Sequence, residues 1–235
     1  MSAADILCYE SDTALAEDVA QRLITVLTEV QATGRQPHVA LTGGTIASQI
    51  YDVLGRIGPG SPVDWSNVAF WWGDERFVPS DSPERNALQA RQAFLDVVGA
   101  TRVHEMPTPN SACSVEEGAR AYSAEIKASG AGHFDVVLLS LGPDGHVASI
   151  FPGSPQATDT DHIAVGVTNS PKPPAERITL TIDALNHADR IWLLAAGVGE
   201  GGSKEAAFRE ATAPEPPALA ARLHAHLDTL WFTSP

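Results

Sequence analysis

The chain has 235 residues, 43% of them apolar and 19% charged, and a formal net charge of −14; it is long enough to bury a sizeable core, and its acidity argues against a nucleic-acid surface, whose affinity rests on Lys and Arg neutralising phosphates. No apolar run approaches the ~20 residues of a membrane span, and the start, Met1-Ser2-Ala3-Ala4-Asp5, lacks the basic and apolar segments of a signal peptide, so a soluble cytoplasmic protein is expected. Cys8 and Cys113 are too few for a disulfide framework and too far apart for a zinc pair, and read as ordinary reduced residues.

Residues 6–9 read as a short strand, and Asp12 as the cap of a helix carrying Leu15, Val19, Leu23, Val26 and Val30 at three- to four-residue spacing. Residues 39–41 predict the next strand, Thr42-Gly43-Gly44-Thr45 its turn, and 46–57 the following helix. A third strand is predicted at 68–72; Ser82-Pro83 then offers an N-cap with proline at the first helical position, and Ser114 to Glu117 a capping box opening a helix toward Ala128. Residues 134–141 have the unbroken apolar pattern of a buried strand. Three more strands are predicted at 163–167, 178–182 and 191–195, the last feeding a glycine-rich turn, 197–203, and a helix from Lys204. Strands alternating with helices imply an α/β fold, a mainly parallel sheet covered by helices on both faces. The proline-rich pieces at 171–174 and 214–217 are too short to link domains.

Four stretches place chemistry-bearing residues where strands end, the edge at which open α/β sheets hold ligands. Gly43, Gly44 and Thr45 lie between a strand and a helix, where free amides and the positive helix end suit a phosphate, although a plain tight turn would look the same. Asp74-Glu75-Arg76 follows an apolar strand: Arg76 can hold a substrate oxygen or phosphate in a fork and Asp74 can orient a hydroxyl or an imidazole, or all three are solvated loop charges. Gly142-Pro143-Asp144-Gly145-His146 delivers an acid and an imidazole together, and histidine is the side chain best suited to take a proton near neutral pH; the bland alternative is a turn in which Asp144 caps a helix. Lysine occurs three times in the chain, and Lys172 and Lys204, with Arg177, put cations beside strand or helix ends in an otherwise acidic molecule. The other seven histidines lack ligand spacing, His224 and His226 projecting from different sides of an expected helix, and no metal site is visible.

Taken together these stretches resemble the 6-phosphogluconolactonase family, within the wider group of glucosamine-6-phosphate deaminase and ribose-5-phosphate isomerase-like folds. The most specific pieces are Trp72-Gly73-Asp74-Glu75-Arg76-Phe77-Val78-Pro79 with Asn86 downstream, Gly142 through Gly153, and Pro171-Lys172-Pro173-Pro174 followed by Arg177-Ile178-Thr179-Leu180-Thr181. The deaminase relatives resemble Asp-Glu-Tyr where this chain has Asp74-Glu75-Arg76, and Asn-Glu-Pro-Gly where it has Ile150-Phe151-Pro152-Gly153, so the carboxylate that assists sugar-ring opening is missing. The family's phosphate turn usually reads Gly-Gly-Ser-Thr-Pro, whereas Gly44 is followed here by Thr45-Ile46-Ala47.

The resemblance implies one Rossmann-like, deaminase-like domain over residues 1–235, and hydrolysis of 6-phospho-D-glucono-1,5-lactone in the oxidative pentose phosphate pathway, without metal or cofactor. His146 would be the general base and Asp144 its orienter, with Arg76 and nearby amides steadying substrate oxygens and Asp74 supporting them. The phosphate would lie on Gly43, Gly44 and Thr45 with Arg177, Lys204 and Lys172 as cations. The partner is a small sugar-phosphate lactone, with no nucleic acid or membrane, on a monomer or small homo-oligomer. The rival readings are a sugar-phosphate isomerase or deaminase on the same fold, and a non-catalytic sugar-phosphate sensor that keeps the phosphate turn.

Overall fold

The computed structural model describes residues 5–213 and 218–235. The first four residues and the proline-rich piece at 214–217 lie outside them. In chain order the elements are β1 (Asp5–Cys8), α1 (Asp12–Ala32), β2 (His38–Leu41), α2 (Thr45–Ile57), β3 (Ala69–Trp72), β4 (Asp74–Arg76), α3 (Asn86–Ala90), β5 (Arg102–Val103) and α4 (Val115–Ser129). They continue with β6 (Phe134–Ser140), β7 (Ala164–Val167), β8 (Arg177–Leu180), α5 (Ile182–Asn186), β9 (Ala188–Ala196), α6 (Glu205–Ala211) and β10 (Asp228–Ser234).

Seven strands form one sheet in the order β1-β10-β9-β6-β2-β3-β5, every neighbouring pair parallel. Burial on both faces explains the unbroken apolar runs: six of the seven β6 residues and all four of β3 are buried. On one side of β3, Phe70 packs against Trp65 and Phe94; on the other, Trp71 packs against His104 and against Tyr122 of α4. Two tyrosines also fasten strand ends. Tyr51 of α2 accepts from Thr42 N and donates to Thr42 O, and Tyr122 does the same at Trp72.

From β2 the chain runs outward to β3, and from β6 it runs the opposite way to β9. The boundary between β2 and β6 is therefore the switch point of the sheet, where the loops after both strands open a crevice. Ser140 Oγ donates to Gly43 O across it at 3.0 Å.

Several local expectations are corrected. Of the strands predicted at 163–167 and 178–182, neither joins the main sheet: β7 and β8 pair antiparallel with each other, and β8 with β4, in a separate three-stranded sheet. Gly73 O, just past β3, accepts from Leu180 N at 2.8 Å, which ties that sheet to the end of the main one. Ser11, not Asp12, caps α1, its side chain accepting from Ala14 N. Ser82-Pro83 starts no helix; α3 begins at Asn86, where buried Glu75 captures its first amides. Lys204 is the cap residue of α6 rather than its first turn. His224 and His226 sit in a loop, not a helix. β10, for which no strand was predicted, fills the sheet between β1 and β9. The capping box stands, Ser114 Oγ accepting from Glu117 N at 3.2 Å.

Candidate active site

The strand β6 ends in a tight turn, Gly145 N donating to Gly142 O at 3.0 Å and Gly142 N to His146 O at 2.9 Å, with Gly145 at φ +81°. No helix follows for Asp144 to cap. The turn folds the acid back onto the imidazole: His146 Nδ1 lies 2.5 Å from Asp144 Oδ1. The carboxylate only accepts, so Nδ1 carries the proton and Nε2 keeps a lone pair for the site. A side chain at Gly142 would put its Cβ 2.0 Å from His146 Nδ1 and 2.8 Å from Asp144 Oδ1, so this close approach requires glycine. The Phe151 ring packs against the imidazole at 4.8 Å between centroids. Burial pushes the His146 pKa down and the Lys172 charge adds to this, outweighing the hydrogen bond and charge of Asp144 and the charge of Asp74. Burial pushes the Asp144 carboxyl up, but the bonds from His146 and Lys172 and the His146 charge outweigh it and hold the group below the usual carboxylate range.

Immediately downstream, Val147 and Ile150 exchange backbone hydrogen bonds around Ala148 and Ser149. Ala148 stands at φ +50°, a left-handed conformation that costs a non-glycine residue about 1–2 kcal/mol. The turn places the buried Ser149 hydroxyl 2.5 Å from Asp74 Oδ2, so the hydroxyl that Asp74 orients is a protein one. Arg177 Nη1 donates to the same Ser149 Oγ at 3.4 Å. Its other contacts hold the segment before β8: Nε donates to Pro174 O at 3.2 Å, and Nη2 to Lys172 O and Pro173 O at 3.2 and 3.3 Å. Four of its five N–H groups are thereby engaged. Lys172 Nζ reaches Asp144 Oδ1 at 3.2 Å and lies 3.4 Å from His146 Nδ1.

Glu75 is 1% exposed and accepts from the amides of Arg76, Asn86 and Ala87 at 2.8–2.9 Å, with the buried Arg85 guanidinium 3.8 Å away. Burial raises its pKa, opposed by Arg85 and those amides. The arrangement fixes Arg76, whose Nη1 donates to Glu84 O at 2.5 Å, and Asn86, whose amide donates to Asp74 O at 3.1 Å. Asn86 also lies flat on the Gly43-Gly44 turn, since a Cβ at Gly43 would meet its Oδ1 at 2.0 Å. Gly44, at φ +106°, precedes α2 without a side-chain cap, leaving the first amides from Thr45 onward facing the crevice end. Lys204 is half-buried after β9; burial pushes its pKa down, Asp12 opposing and Lys172 adding to the effect, which places the two lysines within charge range of each other.

The structure thus brings together His146, Asp144 and Lys172 as one cluster and Asp74, Arg177 and Ser149 as a second. Gly43, Gly44 and Thr45 reach the second through Asn86. Arg76 and Lys204 flank these groups without a direct bond to another predicted residue. Ser149, Glu75 and Arg85 escaped sequence reasoning: a serine in a turn and charges after a strand carry no signal of burial. A cavity of about 490 Å³ lies beside Asp144 and Gly145, bounded also by Gly153, Leu219 and Arg222; His146, Lys172 and the Gly43-Gly44 turn are not part of its lining. Among the described residues, no three His, Cys, Asp or Glu side chains converge as metal ligands, and no helix is long and apolar enough to cross a membrane.

Comparison with known proteins gives the family and the fold. The family model described as glucosamine-6-phosphate isomerases/6-phosphogluconolactonase matches residues 10–231. The chain is 40% identical over 229 residues to the 6-phosphogluconolactonase of Streptomyces coelicolor, covering 93% of this chain and 87% of that one. It is 36% identical over 221 residues to that of Mycobacterium tuberculosis, covering 90% and 88%. Among solved structures, the 6-phosphogluconolactonase from Trypanosoma cruzi superposes with a TM-score of 0.89 at 26% identity, covering 100% of this chain and 96% of that one. A monomeric glucosamine-6-phosphate deaminase shares the fold, with a TM-score of 0.81 at 20% identity over 98% and 97% of the two chains.

Proposed function

The chain belongs to the family of glucosamine-6-phosphate isomerases and 6-phosphogluconolactonases, and we propose that it is one of the lactonases, hydrolysing 6-phospho-D-glucono-1,5-lactone to 6-phosphogluconate in the oxidative pentose phosphate pathway. The observation that carries this reading is the Asp144–His146 pair, mounted on the loop beside the switch point with the α2 N-terminus across the crevice.

In the reaction, His146 Nε2 takes a proton from water as the water oxygen bonds to the lactone carbonyl carbon. The carbonyl π pair moves to its oxygen, giving a tetrahedral oxyanion steadied by Arg76 and neighbouring amides. When that pair returns, the bond from the carbonyl carbon to the ring oxygen breaks, and the ring oxygen takes the proton back from the imidazolium. The product acid then ionises in water. Asp144 holds the ring through Nδ1 and stabilises the imidazolium between the two transfers. Asp74, through Ser149, supports the floor of the site. The distant phosphate is anchored by the Gly43, Gly44 and Thr45 amides with Lys204, and with Lys172 and Arg177 from the segment leading into β8.

Phe151 favours a lactonase over a deaminase: an apolar ring lies against His146 where the deaminase relatives carry a carboxylate, and it can move no proton. The same reading makes residues 1–235 one domain of a cytoplasmic enzyme that needs no metal or cofactor, as a monomer or small homo-oligomer. The test is turnover of 6-phosphogluconolactone above its spontaneous hydrolysis, with His146→Ala lowering kcat by about 10²- to 10⁴-fold in a folded protein. Near wild-type turnover in that variant, or none above background in the wild type, would remove the assignment.

A further inference from the structure

The segment between β7 and β8 is built to hold one side chain in place. Ser170 N donates to Ala175 O at 3.0 Å, Ser170 Oγ both donates to Lys172 O at 2.8 Å and accepts from Lys172 N at 3.2 Å, and Arg177 clamps the carbonyls of Lys172, Pro173 and Pro174. Six bonds to Ser170 and Arg177 are many for a short surface strap whose only task would be a long-range charge. What the strap delivers is the Lys172 ammonium, 3.2 Å from the same Asp144 oxygen that accepts from His146, and 3.4 Å from the Nδ1 that donates to it.

That geometry has a chemical consequence. A carboxylate bonded to an imidazole fixes the ring but also draws it toward imidazolium, a form that can accept no proton from water. An ammonium sharing the carboxylate oxygen cancels much of the negative charge while leaving the orienting bond intact. From this we infer that Lys172 is a positioning residue for the hydrolysis, sharing Asp144 Oδ1 with His146 so that the ring is aimed by the carboxylate yet stays a neutral base. The inference rests on the lactonase reading and extends it. The other groups facing His146 are the Asp74 carboxylate from β4, which favours the protonated ring, and the uncharged Phe151; Lys204 faces Lys172 itself with like charge. The direction in which burial and Lys172 together move the His146 pKa agrees with this role.

The experiment uses the full chain and the variants Lys172→Met and Lys172→Arg, with His146→Gln to assign its resonance among the eight histidines. Without substrate, the NMR titration of the His146 ring is expected to move up by about one pH unit in Lys172→Met, the scale of a unit charge removed from 3–4 Å in a partly solvated site, and to stay near the wild-type midpoint in Lys172→Arg. The acid limb of kcat/KM should move with it, and equally on 6-phosphogluconolactone and on unphosphorylated glucono-1,5-lactone. A His146 titration unmoved in Lys172→Met overturns the inference. So does a loss confined to the phosphorylated substrate with the acid limb in place, because Lys172 would then serve only the phosphate. A wild type that turns over neither lactone sinks the lactonase reading, and the substrate-free titration still decides whether Lys172 controls the ring.

Discussion

Gly142→Ala adds one methyl group where the dyad folds back on its own loop, and its effect can be worked from distances. The new Cβ would sit 2.0 Å from His146 Nδ1, 2.1 Å from Cε1 and 2.8 Å from Asp144 Oδ1. Contact between carbon and nitrogen relaxes at about 3.5 Å, so the imidazole must retreat by roughly 1–1.5 Å. The backbone at 142 is not left-handed, so alanine brings no conformational strain of its own. The colliding atoms are the ends of two side chains, 15% and 40% exposed, which can swing outward without unpacking the core. Function and stability should therefore part company. A 1 Å misplacement costs about 10²-fold, so kcat/KM on the phosphorylated lactone should fall by about 10²- to 10³-fold after subtraction of spontaneous hydrolysis, while the unfolding midpoint stays near that of the wild type. Because both changes strike one base, Gly142→Ala with His146→Ala should be hardly slower than His146→Ala alone. Wild-type kcat/KM in the folded single variant would refute the claim that this Asp144–His146 geometry carries the chemistry, and additive losses in the double variant would place the damage elsewhere.

Lys204→Ala should weaken kcat/KM for the 6-phospho lactone by about 1.5–3 kcal/mol, the scale of a charged hydrogen bond, and leave unphosphorylated gluconolactone almost untouched; equal losses on the two would take Lys204 out of the phosphate site. Glu75→Ala strands the buried Arg85 and three backbone amides, so denaturant unfolding should show a loss of about 3–5 kcal/mol; a change below 1 kcal/mol would mean that the carboxylate organises nothing. Turnover should survive exhaustive chelation, since the base acts on water directly; a loss restored by an added divalent ion would require a different mechanism. For the free enzyme, kcat/KM rises as His146 loses its proton, and its lowered pKa puts that rise below the usual histidine value of about 6.5; an acid limb centred above pH 7 would contradict the burial argument.

The sequence made the parallel layer legible because burial on both faces writes itself as continuous apolar runs, as in β6 and β3. It said less about which sheet a short run joins. Residues 164–167 and 177–180 look no different from strands of the main sheet, and only the pairing of β8 with the charged β4 decides that they leave it. Asp74-Glu75-Arg76 was half legible: its charges read either as substrate contacts or as solvated, and neither reading anticipates that Glu75 is satisfied by the first amides of α3 and by Arg85, partners ten or more residues away. The same capture explains why the helix starts at Asn86 and not at Ser82-Pro83. At the site, Asp144 and His146 were readable because a two-residue spacing across a glycine turn fixes their contact locally. Lys172 and Arg177 were readable only as cations near an edge. Arg177 engages four of its five N–H groups on the strap and on Ser149, which leaves one to reach outward. In a chain at −14, cations beside the crevice must outweigh the general field to hold an anionic sugar. Arg177 braces the segment before β8, Lys172 is engaged on Asp144, and Lys204 has no bond to Asp144 or His146, so on the proposed reading a bound phosphate would depend on Lys204 and the α2 amides more than counting cations along the sequence implies.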